Sequence, residues 1–287
     1  MNGAISKKIT VLLILLSFAH VSLSAAQQYI NFGPSEEEVK KERSEKNAAL
    51  KEAFRGFEVV FNPTYYRYTE PNLMHLKGFN YRAGAEYTFF LTQNSTWLMH
   101  LDYSFAYAKL DYSSRGTGST KGEKNTIHEL RVYTGKTTHF ASYPFMYYWG
   151  LGFRQLDHDG RKVSTTGHTG YKRRSQYFTA TGGTKWLIPL SDNWEFSLKN
   201  EISLMPVGKQ KSYDATSGSP DRTYDQHFGF NFRLQPNFVL AKHFVVGPYF
   251  DWWYVAESER EYEGGGWYSY EPENNTIEYG IILGARF

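Results

Sequence analysis

The chain has no cysteine in 287 residues. That excludes a disulfide framework and every zinc site built on thiolates. Beyond the N-terminus there is no apolar run of about 18 residues, which argues against a helical membrane protein. The net charge is only +3, so composition makes no electrostatic case for a nucleic-acid partner. Nor is the chain apolar on average, with a mean hydropathy of −0.55. What it has in excess is aromatic residues, 18% of the total as 23 Tyr, 21 Phe and 7 Trp. Tyr and Trp collect where a surface is apolar at one end and wet at the other, as in the girdles of membrane barrels. A low mean hydropathy is compatible with such a barrel, because half of each spanning strand faces a polar interior.

Residues 1–26 read as a secretory signal peptide: Lys7 and Lys8 form the basic start, 9–18 the apolar core, and Ser24 and Ala26 the small residues before a cleavage after Ala26. Residues 27–55 are an extension of another kind. Ser35 and Glu38 have the spacing of a capping box. Glu36, Glu37 and Glu38 suit the positive end of a helix, and Val39, Leu50 and Phe54 make a thin apolar stripe. The extension is expected on the periplasmic side, where it either rests in the mouth of the next domain as a small plug or stays solvated and partly disordered.

From Phe57 onward the hydrophobic period is two, the repeat of a strand whose side chains alternate between faces. Residues 56–287 divide into about ten such strands, with eight or twelve as the alternatives. The connections alternate in length. Short turns at 92–95, 139–142, 189–192 and 236–242 separate longer loops at 69–77, 113–124, 158–172, 208–222 and 258–274. The fold class this predicts is all-β, a closed antiparallel transmembrane β-barrel with a short N-terminal helical extension. Pro63 and Pro248 fall inside strands, and a closed barrel has no free edge to host them, so each calls for a bulge or a shifted boundary.

The last strand carries a resemblance. Ile277, Tyr279, Ile281, Leu283, Ala285 and Phe287 share one side, and Glu278, Gly280, Ile282, Gly284 and Arg286 the other. This resembles the C-terminal strand of bacterial outer-membrane β-barrel proteins, which ends in Phe and is read by the barrel-assembly machinery. The resemblance implies that Tyr279, Ile281, Leu283 and Phe287 act as the insertion signal, although Ala285 stands where that signal often has an aromatic. It also implies residence in the outer membrane of a Gram-negative-type bacterium, among its lipids and lipopolysaccharide.

The opposite faces of the strands are charged, with the signs well mixed. They carry Arg82, Glu86, His100, Asp102, Glu129, Arg131, Arg154 and Lys185. Later strands add Glu195, Lys199, Glu201, Arg233, Asp251, Glu278 and Arg286. In a barrel of about ten strands the interior is narrow, and charges buried there must pair. The expectation is a lumen filled by an ion-pair network, in an outer-membrane protein whose loops serve structural or interaction roles. A narrow porin or transport channel is the alternative.

One pair invites a catalytic reading. Asp225 and His227 are two apart on what reads as an inward face, where a carboxylate could orient an imidazole acting as base. This is similar to the Asp/His half of the omptin surface proteases, which are also ten-stranded barrels. Their second acidic pair would be represented here by Asp111 alone. The third long loop and its flanks are basic, with Arg161, Lys162, Lys172, Arg173 and Arg174, a set that could meet lipopolysaccharide phosphates. The fifth loop is acidic and carries an aromatic tip at Trp267, Tyr268 and Tyr270. Residues 157–160 lack the remaining ligands of a calcium loop, and no motif calls for a metal or a cofactor.

Overall fold

The computed structural model describes residues 35–92, 95–213 and 221–287, so the expected signal peptide lies outside the described residues. Helix α1 (Glu36–Phe54) begins at Ser35. There the Ser35 N–H and hydroxyl both donate to Glu38, at 2.8 and 2.9 Å, and the Glu38 N–H donates to Ser35 Oγ at 3.3 Å. These bonds hold the Glu38 carboxyl below its ordinary range. The helix is divided between two compact units after Arg43. In the second unit its last turns put Leu50, Ala53 and Phe54 against Phe90, Leu98, Tyr133, Met146, Tyr148 and Leu187. All six partners face inward near the short-turn end of the strands, so the last turns of the helix pack into this end of the interior.

The strands follow in order as β1 (Gly56–Glu70), β2 (Met74–Phe90), β3 (Trp97–Ser114), β4 (Gly118–Phe140), β5 (Tyr143–Asp159), β6 (Lys172–Ser191) and β7 (Trp194–Tyr213). Then come β8 (Arg222–Gln226), β9 (Gly229–Leu240), β10 (Phe244–Val255), the small pair β11 (Glu261–Gly264) and β12 (Trp267–Ser269), and β13 (Asn274–Arg286). Each strand from β1 to β7 pairs antiparallel with the next. Both β8 and β9 pair with β7, one above the other, and so occupy a single position. β10 joins β9 to β13, and β13 returns to β1 with Phe61 opposite Leu283 and Val59 opposite Ala285. Phe57 and Phe287 exchange backbone hydrogen bonds of 3.0 and 2.8 Å at the seam. The eleven strands of the main sheet thus make a closed barrel of ten positions; β8 pairs with β7 alone, and closure leaves the long strands no free edge.

Alternation sorts the side chains. Phe79, Leu151 and Phe178 stand outside at 64%, 71% and 56% exposure, within a belt that also includes Phe57, Trp97, Tyr103, Trp149, Tyr279 and Ile281. Neighbouring aromatics on this face touch in rows, such as Trp97, Trp149 and Tyr147. A soluble monomer rarely exposes a contiguous apolar surface of this kind. At one end the strands are joined by tight connections, including residues 141–142 and 241–243. At the other end lie residues 160–171 and 256–273, the latter with its β11–β12 hairpin.

Three expectations need correction. Neither Pro63 nor Pro248 is accommodated by a bulge. The β1–β13 register is the same on both sides of Pro63, and the β9–β10 register the same on both sides of Pro248, with a local gap in the ladder. At Pro63 the backbones close up: a Cβ at Gly280 would lie 2.2 Å from the Pro63 carbonyl oxygen, so only glycine fits there. The loops expected at 69–77 and 113–124 are mostly strand, leaving turns of three residues at 71–73 and 115–117. Finally, alternation breaks in β7. Met205 and Gly208 are buried while Pro206 and Val207 between them are both exposed, and the β6–β7 register shifts at the same height. Pro206 has no N–H to donate, and a bulge there reverses which residues face inward above it.

Candidate functional site

Inward-facing charges meet across the lumen at several heights. Nearest the short-turn end, Lys185 of β6 reaches Glu58 of β1 at 3.4 Å, and Arg286 joins Glu58 and Glu195 at 3.5 and 2.9 Å. Next, Lys199 of β7 pairs with Glu86 of β2 at 2.6 Å and lies 3.6 Å from Asp102 and 3.5 Å from Glu201. His100 sits beside this group, its Nδ1 2.8 Å from the Thr88 hydroxyl and its ring stacked on Tyr133.

At mid-height Arg131 of β4 meets Glu201 of β7 at 2.5 Å, and Arg233 of β9 meets Glu129 of β4 at 2.6 Å. Arg233 also reaches Asp251 at 3.3 Å. Glu201 accepts further hydrogen bonds from the Tyr133 and Tyr148 hydroxyls at 3.1 and 3.0 Å. Arg82 grips Glu278 through Nε and Nη2 at 3.2 and 2.9 Å and approaches Glu129 at 3.5 Å. Arg154 lies 3.5 Å from Glu129 and stacks its guanidinium 4.4 Å from the Trp253 ring centre. Twelve of the fifteen charged or imidazole side chains picked from the sequence are buried; Lys185, Glu195 and Arg286 are only partly so. β1 and β6, like β2 and β7, are five positions apart in the ring of ten, so these pairs run wall to wall.

The candidate catalytic set does not assemble. Asp225 and His227 point outward, with side chains 55% and 62% exposed; Asp225 lies 3.6 Å from Lys209, and His227 lies 3.6 Å from Glu259. Tyr224 and Gln226 take the inward positions instead. The reversal comes from the Pro206 bulge, because Met205 still faces Gly229 below it and Gly208 faces Gln226 above it. Asp111 is also exposed on the outer wall, where it accepts the Gly122 N–H at 3.0 Å across a bulge in β4. It belongs to β3, five positions from β8, so no cleft joins the three.

The basic set near residues 160–171 is engaged within the chain. Arg161 forks onto Asp159 at 2.7 and 2.8 Å, and Arg174 binds Asp157 at 2.8 Å. Lys162 donates to the Lys121 and Gly122 carbonyls at 2.6 and 2.9 Å, and Lys172 lies over the Tyr213 ring. Arg173 turns inward, 2.6 Å from Glu70 and 3.6 Å from Glu271. Burial, with Glu70 nearby, pushes the Glu271 carboxyl up to about 7 against the pull of Arg173. The aromatic tip stays open, with Trp267 at 77% and Tyr268 at 59% exposure.

The loop end also holds a cavity of about 160 Å³ that the sequence pattern did not reveal. Its floor is made by Thr120, Glu123 and His158, all buried. His158 Nε2 is 2.8 Å from Glu123 Oε2, Thr120 donates to the other carboxylate oxygen, and His158 Nδ1 has no partner. The segment 160–171 covers it, held down by the Thr165 N–H donating to the Ser119 carbonyl at 3.0 Å. Glu123 lay within an expected loop and His158 at the edge of another. Their shared inward face follows only once 118–124 and 157–159 are read as strand.

No protein-family model matches the chain, and no curated protein matches it. Among solved structures it is similar to the translocator domain of the autotransporter NalP from Neisseria meningitidis, with 13% identity, TM-score 0.41, and 88% of this chain and 95% of that one covered. It is also similar to the transport unit of the autotransporter AIDA-I from Escherichia coli, with 11% identity, TM-score 0.43, and 90% and 99% covered. A third is Ail, the attachment invasion locus protein of Yersinia pestis, with 12% identity, TM-score 0.30, and 82% and 100% covered.

Proposed function

We propose that the chain is an integral outer-membrane barrel that does not conduct and acts at the cell surface through its loops, in structural or interaction roles. Its setting is the outer membrane of a Gram-negative-type bacterium, reached through the barrel-assembly machinery. The aromatic belt would lie against lipid, the short turns and the plug of α1 on the periplasmic side, and the longer connections outside. The observation that carries the closed-lumen reading is the stack of wall-to-wall ion pairs, Lys185–Glu58, Lys199–Glu86 and Arg173–Glu70. A water-filled channel needs a continuous polar path, and here opposite walls are within hydrogen-bonding reach at the bottom, middle and top. Because the loop arginines are paired internally, lipopolysaccharide phosphates would meet the exposed Lys77, Lys109 and Lys124 on the outer wall instead.

Two measurements test this. Fractionation should place the chain in the outer membrane with heat-modifiable migration on a gel; recovery as a soluble periplasmic protein would reject the membrane reading. In planar bilayers the full chain should give no stable current steps, and should still give none when residues 35–54 are removed, because the ion pairs lie above the plug. Large unitary currents in either form would reject the closed lumen and favour a porin. Asp225→Asn and His227→Ala should leave the fold and any peptide turnover unchanged, since both groups face outward from the barrel.

A further inference from the structure

We propose that the cavity at the loop end binds a neutral pyranose, a single sugar ring taken up between β4, β5 and the segment 160–171. Three observations converge on that ligand class. The first is size. A cavity of about 160 Å³ matches the ~150 Å³ that holds a bare six-membered ring, so a pyranose would seat its ring here with part of its hydroxyls in the open mouth. It also opens outward, since Lys162, His168 and Thr169 on its rim are exposed while Thr120, Glu123 and His158 on its floor are buried.

The second is charge balance. Each charged group in the wall already has its counterpart or acceptors: Glu123 faces His158, Arg173 is held by Glu70, and Lys162 is turned onto two backbone carbonyls. An anionic ligand would have to face the Glu123 carboxylate, and a cationic one would have to face Lys162 and Arg173. A charged ligand would meet like as well as opposite charge and compete with these existing pairs, whereas a neutral one leaves them intact.

The third is the kind of polar group offered. Tyr112, Thr117, Thr120, Ser164 and Thr169 line the cavity with hydroxyls; Tyr112 and Thr117 bond each other at 2.6 Å, Thr120 donates to Glu123 and Ser164 lies 3.1 Å from the Thr166 hydroxyl, so what they chiefly offer a ligand is acceptor oxygens. His158, whose Nδ1 has no partner, lies on the same floor. Sugar hydroxyls can donate to such oxygens, while Met74 and the Tyr171 ring supply apolar surface for the C–H face of a ring.

The site rests on the cavity alone, so failure here would leave the outer-membrane reading standing, and failure of that reading would leave this binding test intact. The experiment is saturation-transfer NMR and calorimetry on the full chain, refolded in a detergent without a sugar headgroup. The probes are D-glucose, D-galactose and D-mannose, with D-glucuronate, D-glucosamine and inorganic phosphate as charged counterparts. At least one neutral hexose should bind saturably and more tightly than any charged probe. Glu123→Gln should weaken it at least tenfold. Thr169→Trp, on the exposed rim, should block entry without touching the buried floor, and it decides the matter if the Glu123 variant fails to fold. Absence of saturable binding by all three neutral hexoses, tighter binding of a charged probe, or binding that survives Thr169→Trp would each overturn the proposal.

Discussion

The middle of the lumen and its loop end use the same residue types to different effect. At mid-height Glu201 is fully buried and touches Arg131, Lys199, Tyr133 and Tyr148. Its partners come from β4, β5 and its own strand, all regular at that height. At the loop end Arg173 is partly exposed and shared between two carboxylates, one from β1 and one from the segment before β13. Nearby, His158 keeps a ring nitrogen without a partner. A charge network surrounded on every side closes a space. One with a spare group and a covering segment leaves room for a ligand or a switch.

The sharpest way to break this contrast is at Glu201. Glu201→Ala leaves Arg131 without its nearest carboxylate in a buried site, and is expected to cost about 3–5 kcal/mol in urea-unfolding measurements on the refolded barrel. The paired replacement Arg131→Met with Glu201→Leu should recover most of that, because isosteric apolar groups leave fewer charges stranded. Equal losses in the single and double variants would mean that the middle is held by shape and not by charge pairing.

The same change at the loop end should be milder. Arg173→Met removes the cation between Glu70 and Glu271 where water still reaches the guanidinium, so a loss of about 1–3 kcal/mol is expected. It should appear first as faster hydrogen exchange in residues 256–273 and leave exchange at the level of Glu201 unchanged. A loss as large and as global as that of Glu201→Ala would erase the distinction between the two regions.

The contrast also explains what could be read from the sequence. Within the belt, one face meets an apolar surrounding and the other a charged lumen, so residues such as Trp97 to Tyr107 announce the strand, its register and its inward charges. Above the belt both faces are wet. The polar run from Thr117 to Lys124 therefore reads as a loop, although most of it is strand. That is why Glu123 went unread as an inward residue. Asp225 and His227 face outward for another reason: regular alternation along their strand does not hold across the break that Pro206 imposes from the neighbouring strand. Pro206 followed by Val207 and Gly208 was the local sign that the inward face changes there.

The smallest effect separates the regions by pH. Glu271 lies outside the strands, and the groups facing it are Arg173 and Tyr177 from β6, Glu70 and Tyr68 from β1, Gln210 from β7 and the Ser258 hydroxyl, which accepts the Glu271 N–H at 2.8 Å. Burial first, and Glu70 second, raise its carboxyl from an ordinary value of 4.5 to about 7, with Arg173 opposing. A folded value raised above the unfolded one means that the folded state holds the proton more tightly. The contribution to stability is therefore full below 4.5 and is lost as pH rises through 7. Above that pH two carboxylates compete for one guanidinium, and the segment before β13 should loosen. Limited proteolysis of residues 256–273 should accordingly be slower at about pH 5.5 than at about pH 8.5, and Glu271→Gln should flatten the difference by removing the charge at every pH. A wild-type rate that does not change with pH, or a Gln variant that keeps the dependence, would assign the clasp to Arg173 and Glu70 alone and leave Glu271 a passive neighbour.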